Sequence, residues 1–308
     1  MDSGYARGFT LIELVVVITL TGIIAVLVGR NITRPIAGFI DLSRRAELVD
    51  TAELALRRMD REIHLALPNS VRVSGGSSCS APGGSAVCAV EFLRTLDGGR
   101  YRARAAGGPP VYCVGPAAGD RISFSAAIDC FEVLGTLNNL TDIDAAPNDQ
   151  NGCLNGSVDC LVIFNTGQAG ANAYNRENIA GITAATANSI TFDITGNGVT
   201  RFPLPSPRQR FHIVDMPVSF VCDPGAGVME RHGDYDIPVN QVLDPGTTLN
   251  GDVSLLADRI TSCTFTYDPG TNSRNALLTV ALSVSAVDTQ GNANTVSLLQ
   301  EIQVPNIP

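Results

Sequence analysis

The chain has 308 residues and a net charge of −9, and all 21 of its basic residues are arginine. The length leaves ample chain for a sizeable core beside a smaller appendage. The acidic balance repels phosphate backbones, so broad nucleic-acid binding is not expected.

The chain opens on a short polar segment, Met1–Gly8, followed at once by the apolar run Phe9–Gly29, in which Glu13 is the one charge. As a helix that run would span about 32 Å, enough for a bilayer core. A conventional secretory signal would place a cleavage site after its apolar stretch. Here the plausible processing site precedes it. A carboxylate in an apolar helix is costly on insertion and marks a functional position by default.

Pro35 follows, and a kink or break is predicted near Asn31–Pro35 because proline removes a helical hydrogen bond. Helical pattern resumes at Gly38 and runs to Leu67. The stripe Leu42, Ala46, Val49, Ala52, Leu56, Met59, Ile63, Leu67 keeps close to the helical period. Asp41, Arg44, Arg45, Glu47, Arg58, Arg61 and Glu62 fall opposite, so one face is predicted to pack on a domain while the other stays polar.

From Pro68 onward Gly, Pro, Ser, Asn and Thr become frequent. Strands are predicted at Val87–Leu96, Arg100–Ala105, Arg121–Ser125, Cys160–Asn165, Ser189–Ile194, Val218–Cys222, Thr261–Tyr267, Leu277–Val287 and Thr295–Val304. Asp97-Gly98-Gly99 reads as a hairpin turn between the first two, and Gln290-Gly291-Asn292 joins the last two. A short helix is expected around Ala173–Ile179, and loops at Ser74–Gly84 and Ala105–Pro110.

Eight cysteines, Cys79, Cys88, Cys113, Cys130, Cys153, Cys160, Cys222 and Cys263, all lie beyond the helical region. None are spaced C-x-x-C, and the three histidines are scattered, so zinc and thioredoxin-type chemistry have no support. Structural disulfides in an oxidising compartment are the plain reading. Many connectivities are open. Pairing near neighbours in sequence gives Cys79–Cys88, Cys113–Cys130, Cys153–Cys160 and Cys222–Cys263.

Other signals are weaker. Strand alternation would put Arg100, Arg102 and Arg104 on one solvated face. Asp142, Asp144, Asn148, Asp149 and Asn151 make the 142–151 loop rich in oxygen ligands, but the spacing does not match an EF-hand, so calcium there is a minor alternative to no cofactor at all. Asp193-Ile194-Thr195-Gly196-Asn197-Gly198 reads as a strand entering a turn. No nucleophile–base set, P-loop or metal motif points to an enzyme.

The sharpest motif is Arg7-Gly8-Phe9-Thr10-Leu11-Ile12-Glu13-Leu14. It resembles the class III signal of type IV prepilins and type II secretion pseudopilins. The resemblance implies a prepilin peptidase that cuts after Gly8 and N-methylates Phe9. It also implies that Glu13 faces the N-terminal amine of a neighbouring subunit and sets register during assembly. Ile32-Thr33-Arg34-Pro35-Ile36, Ser43–Asp50, Ala55–Met59, Leu67–Arg72, Pro205–Arg208 and Pro217–Asp223 are similar to MshO-type minor pilins of mannose-sensitive haemagglutinin pili, within the wider PilW and GspJ-like group.

The fold expected is α+β, a long N-terminal helix on an antiparallel, β-rich domain. Its parts would be a leader at 1–8, a membrane and filament-core helix at 9–29, an amphipathic continuation at 30–67, and a disulfide-bonded periplasmic domain at 68–308. The implied partners are prepilin peptidase, major and minor pilins, the inner-membrane assembly platform and the membrane. The implied location is the inner membrane and then the filament. A type II secretion pseudopilin, or a tip adhesin or DNA-uptake pilin, are the alternatives.

Overall fold

The computed structural model describes residues 8–83, 86–104, 107–108, 110–113, 120–147, 152–195, 199–270 and 274–306, except for the side chains of 30–35 and 37. It is an α+β chain in which one long helix lies against antiparallel sheet.

Helix α1 spans Leu11–Ile63 without interruption. At 1.5 Å per residue its 53 residues reach about 80 Å. The break allowed for at 31–35 does not occur. One missing hydrogen bond at Pro35 does not end a helix that is propagated by several turns on each side. Burial begins late. Every described residue from Leu11 to Ile40 is exposed, and so are Leu42 and Ala46, the first two members of the apolar stripe. The embedded face is Leu48, Ala52, Ala55, Leu56, Met59 and Ile63. Fully burying each large member of that set stabilises the domain by about 1.5–3 kcal/mol.

These side chains pack into a sandwich with two sheets. The smaller sheet has the order β13 (Ala293–Val304), β12 (Ala276–Val287), β11 (Ile260–Asp268), β2 (Ser78–Ala81). Alternate β12 residues Ala276, Leu278, Val280, Leu282 and Val284 face inward, as a period of two requires. Gly291 turns β12 into β13 at φ 88°, within the Gln290–Asn292 connection read from the sequence.

The larger sheet is organised by two long strands, β3 (Cys88–Tyr101) and β8 (Arg210–Asp223), which pair with each other. Their helix-proximal halves carry β1 (Arg72–Val73) on one side, and β9 (Val228–Gly233) and β10 (Asp252–Asp258) on the other. Their distal halves do something else. The pairings run β3 to β4 (Cys130–Leu134), then β7 (Ser189–Asp193), β6 (Ile179–Ala185), β5 (Cys160–Ile163) and back to β8. Because β3 also pairs β8, these six strands close into a ring, which leaves no open edge within it. The β3–β8 register shifts at Leu93–Thr95 and Thr95–Asp97, where the strands pass from sandwich to ring.

The hairpin expected at Asp97-Gly98-Gly99 is therefore absent. Those residues continue β3, paired with Ile213, His212 and Phe211. A side chain at Gly99 would sit 2.7 Å from the Phe211 ring, and one at Gly98 3.0 Å from the Phe211 carbonyl oxygen. The glycines serve close packing, letting Phe211 fold inward to meet Phe131 edge-on at 5.3 Å.

Other expectations also change. Arg121–Ser125 is not a strand, and β2 lies inside the expected Ser74–Gly84 loop. β3 ends at Tyr101, so Arg102 and Arg104 lie outside strand alternation. The helix expected at Ala173–Ile179 is a run of turns leading into β6. Asn165 Oδ1 accepts from Ala173 N, and Glu177 Oε2 accepts from Gly170 N and Asn172 N. Such side-chain acceptors offer the backbone an alternative to helix.

Four disulfides are formed: Cys79–Cys88, Cys113–Cys130, Cys153–Cys160 and Cys222–Cys263. Cys79–Cys88 joins β2 to β3, and Cys222–Cys263 joins β8 to β11, so each links the smaller sheet to the larger. Cys88 and Cys222 are opposite one another in the β3–β8 register, which makes the two bridges neighbours.

Candidate functional site

The exposed half of α1 is the candidate site. Thr10 is its N-cap, in extended conformation, and the Thr10 hydroxyl accepts a hydrogen bond from Glu13 N at 3.3 Å. Thr10-x-x-Glu13 has capping-box spacing, a signal in the sequence that the prepilin reading passed over. Glu13 also lies in the first turn, where the helix dipole favours an anion. The threonine fixes where the helix starts. The glutamate therefore projects from a regular turn, three residues into the helix.

Gly8 has nothing within 4 Å of where a Cβ would stand, and Phe9 is 79 % exposed. The bond between them is open to another protein. Leu11–Gly29 is long and apolar enough to cross a membrane, with a mean hydropathy of 2.8. The hydroxyls inside it are satisfied locally. Thr19 Oγ1 donates to Val15 O at 3.0 Å and Thr21 Oγ1 to Val17 O at 2.6 Å. No polar group of these side chains is left to penalise an apolar environment.

Beyond the span, Ile36, Phe39 and Leu42 remain exposed apolar residues. The domain then grips the helix. Both Asp41 carboxylate oxygens accept from Thr289, Arg44 Nη1 donates to Val287 O at 3.1 Å, and Arg259 Nη2 donates to Glu47 at 2.8 Å. Deeper in, Glu62 receives Arg58 from its own helix and Arg231 from β9. The face expected to be solvated is thus partly a polar seam. At its end the chain passes straight into the sheet: Leu67 N donates to Leu93 O, and Thr95 N to Leu65 O, at the β3 register shift.

The remaining charged groups hold the domain together. Buried Glu91 pairs with Arg72 at 2.7 Å, and the Arg72 guanidinium lies 3.6 Å from the centre of the Tyr174 ring. Burial pushes Glu91 above its ordinary value, although Arg72 pulls it down. Asp159 Oδ2 accepts from Asp144 N at 2.8 Å, and burial, helped by Asp215 and Asp144, raises Asp159 to about 7. Arg94 Nε donates to Asp215 at 2.8 Å. Val111 N and Tyr112 N both donate to the Glu132 carboxylate beside the Cys113–Cys130 bridge.

Of the 142–151 loop, Asp142 and Asp144 are exposed, while Asn148, Asp149 and Asn151 lie outside the described residues. So do the leader 1–7 and Gly196, Asn197 and Gly198. No three His, Cys, Asp or Glu side chains converge as metal ligands among the described residues. His232 Nδ1 instead accepts from Gly246 N at 2.9 Å, a structural contact.

Comparison with known proteins gives one match. A family model described as the prokaryotic N-terminal methylation motif matches residues 4–29. No curated protein and no solved structure matches the chain. The matched stretch is the Thr10-capped apolar start of α1, as far as Gly29, together with part of the segment before it, and the motif is that of type IV pilin-like and pseudopilin proteins.

Proposed function

We propose that this pilin-like chain is a minor subunit of a type IV pilus of the mannose-sensitive haemagglutinin kind, acting in assembly or priming of the filament. Prepilin peptidase cuts after Gly8 and N-methylates Phe9. The mature helix anchors the chain in the inner membrane with the disulfide-bonded domain in the periplasm. The chain then leaves the membrane by exchanging lipid for the helices of other pilins. Apolar burial alone changes little in that exchange, so close helix packing and a pair between Glu13 and a neighbour's N-terminal amine supply the preference.

The observation that carries this reading is the uncovered helix. From Leu11 to Ile40 about 45 Å of it projects from the domain with every described residue exposed. In water that surface would be prohibitive. Lipid covers the apolar span before assembly, and neighbouring helices cover it afterwards. Exposed Ile36 and Phe39, past the span, extend the surface that only other subunits meet.

The test is mass spectrometry of filaments sheared from cells, for wild type and Gly8→Val. The expected result is a low-abundance component that starts at N-methylated Phe9, with the uncut Gly8→Val precursor retained in the membrane. Open space around Gly8 means valine does not disturb the folded chain, so a block lies in the peptidase step. Retention of Met1 in wild-type filaments would defeat the proposal. Recovery only with a type II secretion complex would reassign the chain as a pseudopilin.

A further inference from the structure

The far end of the six-stranded ring holds a cleft away from the exposed part of α1. Its volume is about 350 Å³, and its floor is buried Tyr101 and Ile122. One wall is the Pro205–Arg210 turn. Tyr101 Oη accepts from Ser206 N at 2.9 Å, and Ser206 Oγ accepts from Arg210 N at 3.1 Å. Gln209, on the same wall, has φ 52°, a left-handed conformation that non-glycine residues adopt where surrounding structure enforces it. The opposite wall is a serine turn, in which Ser123 Oγ accepts from Ser125 N and Ala126 N. Both walls are held by their own hydrogen bonds, so a ligand would meet a preformed site.

Arg102 and Arg121 both line this cleft, and no acidic side chain does among the described residues. In a chain of net charge −9 that is a local reversal of sign. Arg102 Nε is shielded from solvent and has no hydrogen-bond partner among the described residues. A buried donor without an acceptor is costly, and a small shift of the Arg102 side chain toward an incoming oxyanion would satisfy it. The rest of the lining is unlike a bare phosphate site. Ser123, Ser125 and Gln209 offer hydroxyl and amide groups, and half-buried Phe124 offers an apolar ring.

We propose that this cleft binds an acidic sugar, with its carboxylate on Arg102 and Arg121, its hydroxyls on the serine and glutamine side chains, and its ring face toward Phe124. Guanidinium forks match carboxylate geometry. The volume sits at the small end for ligand sites, which favours one sugar residue over a polymer segment.

The test is saturation-transfer NMR on the full chain in detergent, with glucuronate, glucose and inorganic phosphate as probes and phosphate read by ³¹P line width. Glucuronate should receive saturation, glucose much less, and phosphate should not displace glucuronate at equal concentration. Arg121→Gln, an exposed position, and the double variant Arg102→Gln/Arg121→Gln should each weaken glucuronate binding, the double variant by about tenfold or more. Arg274→Gln, outside the cleft lining and paired with Asp268, should leave it unchanged. Equal binding of glucose, displacement by equimolar phosphate, wild-type binding by the Arg121→Gln variant, or no saturation of glucuronate would each overturn the proposal.

Discussion

Asp41 holds Thr289 by two hydrogen bonds, from the backbone N at 2.9 Å and from Oγ1 at 2.8 Å. Asp41 is the first described α1 residue, reading from the N-terminus, that is half-buried instead of exposed, and Thr289 lies in the β12–β13 turn. The contact marks where the helix leaves the domain. Asp41→Ala should cost about 0.5–1.5 kcal/mol per hydrogen bond lost, at the low end because the site is exposed. Hydrogen exchange should rise in residues 41–47 and 287–292 and stay unchanged in the ring strands. Unchanged exchange at both places would show that the apolar packing from Leu48 onward sets the exit by itself.

Glu13→Ala should insert into the membrane as well as wild type or better, since it removes a charge from an apolar helix. It should still be cut after Gly8, because Thr10 and its cap are untouched. If the proposed Glu13 pair operates, entry into the filament should fall, because a neighbour's amine would be left without its partner. Membrane fractionation reports the first effect, and recovery in sheared filaments reports the last. Wild-type incorporation would remove the assembly role from Glu13.

Replacing Cys222 and Cys263 together with alanine should destabilise the domain by about 2–5 kcal/mol, the usual range for losing a native bridge. The two sheets would remain joined by the neighbouring Cys79–Cys88 bridge, so the fold should survive. Denaturant unfolding under non-reducing conditions measures the first, and circular dichroism the second. Removing both bridges should cost more than the sum of the two separate losses, because they staple the same pair of sheets side by side.

Asp159 gives a pH signature. Its carboxyl ordinarily titrates near 3.8 and is raised to about 7 in the folded chain, first by burial. Between those values the folded chain keeps a proton that the unfolded chain releases. Asp159 therefore subtracts stability as pH rises through that window, and the loss is complete above the folded value. Asp159→Asn keeps an acceptor for Asp144 N and removes the titration. The variant should gain on wild type from pH 4 to about pH 7 and level off above it. Parallel stability curves over that range would show that Asp159 is ionised in the fold like any exposed carboxyl.

What the sequence determined by itself was local. Phe9–Gly29 is apolar enough to be helix and span with no help from distant residues, and Gly8, Phe9 and Glu13 sit in a contiguous motif. The alternating strands β11, β12 and β13 were legible because one face of each is buried, which imposes a period of two. The four pairs of consecutive cysteines could be named as neighbours, but that two of them tie sheet to sheet was not visible in their spacing.

Tertiary structure alone decided the rest. Gly98 and Gly99 carry a turn signature, yet they serve as strand because Phe211, distant in sequence, packs over them. Leu42 and Ala46 belong to the same apolar stripe as Met59 and Ile63, yet they stay exposed, because at that level the side of the helix that meets the domain carries Asp41, Arg44 and Leu48. Closure of the six-stranded ring depends on β3 pairing with β4 and β8 at once, and Arg102, just past the end of β3, shares a cleft with Arg121 from the segment before β4. Hydrophobic periodicity reports which face of a segment is buried. It carries no information on which distant segment buries it, and contacts between distant segments built both the ring and the cleft at its end.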